Sequence, residues 1–477
     1  MLFNSWQFAA FFGVVFVLYF SLAHRWRAWL IFVSSYIFYM AWRWEYAFLM
    51  LGVSVINYYG GQKIAQLSDK AQQKRWLLLI VTASLLPLAY FKYANFFLDS
   101  VNNLFVLSSG ESYFNSLNII LPVGISFFTF QALSYSIDVY RGHTQPEKRI
   151  VNFLAFVSFF PQLIAGPIER SDHLLQQFKE KHRLQLDAII QGGKIFFWGL
   201  FKKIVIADRL SLLVDRVYAT PDLFDWPTLL VATLFFAVQI YCDFSGYSDM
   251  AIGIARMLGF RLMQNFNLPY LSRSIGEFWS RWHISLSTWF RDYMYIPLGG
   301  NRVPESRWMF NIMLVFLVSG LWHGANWTFI VWGGLHGFYY LLESWGDKAL
   351  KIFKAEGIKS WKVYDFAKWL IVFLMVLLAW VYFRAASLSD ANLIVYKILT
   401  LEGNRFYFGA STLTFVLSLG LILLLFCVQI LQYYKIAALY FRPSSFPIYI
   451  RWSAYIAMLI GICLFGMGSN AFIYFQF

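Results

Sequence analysis

Long apolar runs, one after another with short charged segments between them, leave this 477-residue chain few folds to choose from. They include Phe8 to Ala23, Tyr46 to Tyr59, Trp76 to Phe91, Ile119 to Ile137, Leu229 to Phe244, Trp369 to Phe383 and Leu413 to Leu431. Lipid offers no partners to peptide N–H and C=O groups, so such segments cross a membrane as helices. Many are shorter than the roughly 20 residues a perpendicular helix needs, so some extend into their flanks or are broken or re-entrant. The expected fold is an all-α polytopic membrane protein with about eleven spans.

Composition supports this and removes rivals. Only 13% of residues are charged and 59% are hydrophobic, against about 25% charged in soluble domains. The net charge of +14 would suggest nucleic acid in a soluble protein, but here Lys and Arg lie between apolar runs. Positive-inside bias and anionic membrane lipid account for them, so no nucleic-acid partner is expected. Cys242, Cys427 and Cys463 lack metal-type spacing and imply neither a disulfide framework nor a metal site.

Orientation follows from the early segments. Met1 to Trp6 carries no positive side chain, whereas His24, Arg25 and Arg27 follow the first run. That polarity argues for a retained first helix with its N-terminus outside. The polar stretch Gln62 to Arg75, with Lys63, Lys70, Lys74 and Arg75, then faces the cytoplasm. Leu174 to Leu186 reads as an amphipathic stretch on the membrane surface.

No repeat, low-complexity tract or soluble domain interrupts residues 1–477, which read as one membrane domain. Its middle third, residues 121–343, differs from the flanks. Pro and Gly break it at Leu121 to Gly124, Phe160 to Gln162, Ala165 to Pro167 and Ile296 to Gly300, and Asp243 to Asp249 interrupts it with polar groups. Such breaks are tolerated where protein or a water-filled cavity surrounds them, so this third is expected to line a cavity.

Two histidines stand out there. His323 lies between Gly320 and Gly324, and His283 lies 40 positions earlier. An ionisable ring at membrane depth is a functional-site candidate by default. A neutral imidazole can take a proton from a hydroxyl and return it to a leaving group; a packing Gly-xxx-Gly with a core histidine is the competing reading. On a continuous helix His283, Ser287 and Arg291 would form one polar line beside an aromatic stripe that includes Trp282 and Trp289. An interfacial helix, with Arg281 and Arg291 among headgroups, explains the same pattern. Asp243 and Asp249 are expected to pair with an arginine rather than hold a metal. His336 is expected to serve packing or a second surface, and His24, His143, His173 and His182 to be solvated in loops. Neither a Gly-x-Ser-x-Gly elbow nor a Walker motif is present.

At Tyr90 to Phe96, Leu121 to Phe127, Ile137 to Gly142, Ile164 to Pro167, Asp243 to Asp249, Arg281 to Tyr295, Leu321 to Asn326 and Tyr474 to Phe477, the chain resembles the membrane-bound O-acyltransferase family, in its bacterial, alginate-acetylating branch. The resemblance implies a ring of helices around a central tunnel joining the two membrane faces. His323 falls on the family's invariant histidine, and His283 on a second polar position. In family terms an acetyl group passes from a cytoplasmic thioester, acetyl-CoA, to the outside of the bacterial inner membrane. Periplasmic acetyltransferase partner proteins then complete O-acetylation of a polysaccharide; no cofactor is bound.

Acyl transfer needs a base and an oxyanion donor. His323 is expected as general base, and His283, with Asn326 or Arg281, as the group that positions the thioester or stabilises the oxyanion. Trp282, Ser287, Arg291, Trp322 and Asp243 are expected along the tunnel. Acetylation of peptidoglycan or cellulose, D-alanylation of teichoic acid, and, outside the family, a transporter or flippase remain open.

Overall fold

Helix follows helix in the computed structural model, which describes residues 1–109, 113–352, 362–434, 447–468 and 472; no strand occurs among them. The Tyr474 to Phe477 motif lies outside the described residues. Five helical stretches are by themselves long and apolar enough to cross a membrane: residues 70–106, 226–257, 363–384, 412–433 and 448–465. The other described helices that the sequence suggested as spans are shorter or more polar, so length and apolarity alone do not reach eleven.

The chain groups into two compact units, residues 1–193 with 251–263, and residues 194–250 with 264–477. The boundary falls inside the middle third.

In the first unit the helix Glu45–Gln66 packs on both Lys70–Leu88 and Ile125–Arg141. Glycine makes the approach possible at Gly61, where a Cβ would lie 2.7 Å from the Tyr135 ring. A polar clasp ties the three helices. Asn57 Nδ2 donates to Ser84 Oγ at 2.9 Å and Ser136 Oγ donates to Asn57 Oδ1 at 2.7 Å. Interhelical bonds of this kind supply specificity where lipid gives no hydrophobic drive between helices. Pro87 lacks an N–H, and just beyond it the helix widens into a π turn, Ala89–Tyr93.

The segment from Glu169 to Gln185, which holds nearly all of the amphipathic stretch Leu174 to Leu186, is a π turn, Ser171–Leu175, followed by largely irregular chain up to the helix Leu186–Leu200. Long-range polar contacts outweigh its amphipathic pattern. Lys179 pairs with Glu147 at 2.9 Å, and Gln177 exchanges two 2.8 Å hydrogen bonds with the Arg261 backbone. His173 and His182 are accordingly not simply solvated. His173 Nδ1 lies 2.6 Å from Glu169 Oε2; His182 meets the Tyr19 hydroxyl at 2.9 Å, and its carbonyl accepts from Arg27. Burial, then Arg27 and His24, push the His182 imidazole down to about 4, leaving it uncharged near neutral pH. The hydrogen bond to Glu169 raises the His173 imidazole, and burial raises the Glu169 carboxyl. A polar cavity of about 590 Å³ opens beside Asp172, Lys181, Arg183 and Arg261.

The second unit begins at Lys194, within the helix Leu186–Leu200, which continues into a seven-residue π turn, Phe201–Ala207. That helix lies against Trp226–Met257, an unbroken 32-residue helix. Asp243 to Asp249, read from sequence as an interruption, sits inside this helix. Its carboxylates are neutralised rather than exposed to lipid, so the backbone has no need to break. Gly199 and Gly246 face each other; a Cβ on Gly246 would lie 2.7 Å from Gly199 O, and one on Gly199 would strike Gly246 O.

Gly199→Val should therefore lower the unfolding temperature and the monodisperse yield in detergent, since overpacking costs about 1–3 kcal/mol. Gly193→Val, with open space around its Cβ, is the control. Equal stability of the two would show that the helices part freely. A raised histidine adds stability in full below its unfolded value, and that stability is lost as pH climbs through the folded value. The unfolding-temperature difference between wild type and His173→Gln should thus shrink as pH rises above the ordinary histidine range, about 6.5. A pH-independent difference would mean that no proton is linked to this pair.

Candidate active site

His283 and His323 meet in the second unit. Their ring centroids are 6.3 Å apart, and both side chains are buried, with residue exposures of 0% and 3%. His323 is the last residue of the helix Glu305–His323. Its ring stands edge-on to Trp322 and Trp332, each at 5.0 Å, with Phe383 at 5.6 Å. The glycines beside it serve packing: a Cβ on Gly320 would strike the carbonyl of Phe329, and one on Gly324 its ring. The next helix, Trp327–Ile352, can therefore return directly against the first. His336 lies on that second helix and receives the Trp279 indole N–H at 3.3 Å.

The continuous helix expected through Phe278 and Arg291 does not form. The chain makes two short helices, Ile275–Arg281 and Ile284–Phe290, and then a π turn, Arg291–Tyr295. His283 stands at the break with φ 44° and ψ 53°, a left-handed conformation that non-glycine residues seldom adopt. The extended segment before Pro269 imposes it. Ile284 N donates to Asn265 O at 2.9 Å, and Asn267 N to Arg281 O at 2.9 Å. The Asn265 side chain holds the other end: its Oδ1 accepts from Ser285 N at 3.3 Å and Ser285 Oγ at 2.9 Å, and lies 3.1 Å from His283 Nδ1. Strain of this kind persists only where the surroundings over-determine it.

The break scatters the polar line drawn from sequence. Ser287 turns back to the Trp282 carbonyl at 3.2 Å, and Arg291 is exposed and paired with Asp292 at 2.8 Å. Arg281 is held by Glu277 at 2.7 Å. Asn326 caps the following helix, accepting from Thr328 N at 3.0 Å while Nδ2 reaches Ala386 O, a use to which asparagine is suited. Trp282 is buried and stacks on Phe278. Of the sequence candidates, then, His283, His323 and Trp322 come together.

Asp243 pairs with lysine, not with the expected arginine. Lys203 Nζ lies 2.6 Å from Asp243 and 2.7 Å from Asp208, while Lys202 Nζ reaches Asp249 and the Ser245 hydroxyl at 2.8 Å each. Phe244, one position further round the helix, turns its ring to His283 at 4.7 Å. Sequence reading missed Asn265, Phe244, Trp332 and Phe383. The aromatic three are indistinguishable from lipid-facing rings in a chain with 51 phenylalanines and 20 tryptophans. Asn265 has one faint signal, a polar amide in an unpunctuated stretch before Pro269. Among the described residues no three His, Cys, Asp or Glu converge as a metal would require.

A buried histidine pair walled by aromatic rings is an arrangement that can exchange protons away from bulk water. The family model described as MBOAT, membrane-bound O-acyltransferase family, matches residues 77–388, which include both histidines, and the chain belongs to that family. It is thus an acyltransferase of the membrane. It is 45% identical over 397 residues to the protein named "Probable alginate O-acetylase AlgI" of Pseudomonas aeruginosa, covering 82% of this chain and 73% of that protein. Its identity to the Azotobacter vinelandii protein of the same name is 43% over 455 residues, covering 93% and 87%. The peptidoglycan O-acetyltransferase of Helicobacter pylori is 38% identical over 407 residues, covering 79% of this chain and 74% of its own.

Asp243→Asn should reduce the folded yield, because it takes one carboxylate from a buried lysine. Acetyl transfer per folded molecule should stay within about threefold, against the 10²–10⁴ expected of a general base. A normal yield with lost transfer would place Asp243 in the chemistry instead.

Proposed function

We propose that this protein moves an acetyl group from a cytoplasmic thioester, acetyl-CoA, across the bacterial inner membrane for O-acetylation of an exopolysaccharide, alginate. The observation that carries this reading is the buried His283–His323 pair in a chain 43–45% identical to proteins named for alginate O-acetylation. The charge pattern supports an external N-terminus and a cytoplasmic Gln62 to Arg75 segment.

His323 takes the proton of the acceptor hydroxyl as its oxygen attacks the thioester carbonyl. The C–O bond forms, the C–S bond breaks, and the same imidazole returns the proton to the departing thiolate. His283, across the ring gap, positions the thioester donor. Aromatic walls keep hydroxide and water from competing for the acyl group. Periplasmic acetyltransferase partners receive the acetyl group and deliver it to the polysaccharide.

Peptidoglycan as acceptor is the second reading, favoured by the Helicobacter relative. Teichoic acid D-alanylation has less support, since the Streptococcus thermophilus D-alanyltransferase matches 49% of this chain at 31% identity.

The test is transfer of radiolabelled acetyl from acetyl-CoA in proteoliposomes holding the purified protein and a periplasmic partner. His323→Ala should lower the rate about 10²–10⁴-fold at unchanged folded amount, with a smaller loss for His283→Ala. Wild-type transfer by His323→Ala would remove it as the base. Absence of transfer by folded wild type with each candidate acceptor would overturn the assignment of donor and acceptor.

A further inference from the structure

Asn265 is 1% exposed and touches both sides of the helix break that carries His283. Its orientation follows from chemistry. The backbone N–H of Ser285 can only donate, so the atom facing it must be the carbonyl oxygen, Oδ1. The amide nitrogen then points the other way, to Ser248 Oγ at 3.4 Å, on the helix Trp226–Met257. Because Oδ1 can only accept, the His283 nitrogen 3.1 Å from it must carry a hydrogen. A neutral imidazole has one N–H, so with Nδ1 protonated the lone pair resides on Nε2.

We infer that Asn265 is a positioning residue for acyl transfer: it fixes His283 as the Nδ1–H tautomer, with its ring plane set, so that Nε2 carries the acceptor lone pair with which His283 positions the thioester donor. Two independent grips make the arrangement rigid. The Asn265 backbone carbonyl holds Ile284 N and its side chain holds Ser285, so the imidazole is flanked by fixed points. The left-handed backbone at His283 aims the ring toward His323 instead of along the helix. The alternative tautomer would set a bare Nδ1 against the lone pairs of Oδ1. The inference rests on His283 acting in the transfer proposed above.

The kinetic test is a double-mutant cycle in the reconstituted acetyl-transfer assay, with wild type, Asn265→Leu, Asn265→Asp, His283→Asn and the Asn265→Leu/His283→Asn pair at matched folded amounts. Asn265→Leu should lower kcat about a hundredfold, the scale of a misplaced reacting group, with the KM for acetyl-CoA within about twofold. Asn265→Asp, which still accepts from Nδ1–H, should restore most of the rate. Once His283 is Asn, adding Asn265→Leu should cost nothing further, since a residue acting through another loses its effect when that other is gone. A full additional loss in the pair would assign Asn265 to packing and overturn the inference. Wild-type transfer by His283→Asn alone would instead overturn the role given to His283, and this inference with it. A second measurement needs no change at Asn265. In nitrogen-15 histidine-labelled protein, the resonances lost on His283→Asn should be those of a protonated Nδ1 and a bare Nε2; the opposite assignment overturns the proposal.

Discussion

Every peptide group that leaves a helix inside a membrane protein must find a partner within the protein, because lipid provides none. The break at His283 exists because that condition is met. Asn265 and Asn267 lend backbone groups to Ile284 and Arg281, and the Asn265 amide takes up Ser285. Without that segment the chain from Ile275 to Phe290 would have every reason to close into one helix, and His283 would point elsewhere. The site therefore depends on hydrogen bonds made by residues eighteen positions upstream.

A frame of buried charge stands behind the site. Lys202 and Lys203, in the π turn Phe201–Ala207, meet Asp208 just beyond it and Asp243 and Asp249 on the helix Trp226–Met257. Such pairs contribute little net stability, but removing one partner leaves an uncompensated charge. Their effect is to fix how one helix lies on another, and Phe244 takes its place against His283 from that same helix. Charge satisfaction on one face and an aromatic wall on the next thus come from neighbouring residues of a single helix.

Sequence made the class legible because hydropathy and charge placement are summed over hundreds of residues, and local errors cancel. It also made His323 and His283 legible, since an imidazole is conspicuous among apolar side chains. The rest needed distances. The His283–Ser287–Arg291 line presumed an uninterrupted helix, and nothing in Arg281 to Arg291 signals a break: neither Gly nor Pro lies there. Asn326 and Arg281 were plausible oxyanion donors until a helix cap and an ion pair claimed them. The cation that meets Asp243 lies 40 positions earlier, on another helix. The partner of a buried charge is set by tertiary approach, which residue type does not announce.

The π turn Phe201–Ala207 sets the spacing of that charge frame. Lys203 and Asp208 are five residues apart, which on an α-helix would turn their side chains roughly 140° from each other. A π turn bonds each N–H to the carbonyl five residues earlier, and here the Asp208 N–H does bond to the Lys203 carbonyl. One surplus residue in the coil of the helix is what lets a single ammonium group face carboxylates from two helices at once. The frame depends on that wider turn: it carries Lys203 and Asp208 to one side of the chain, where α-helical spacing would part them.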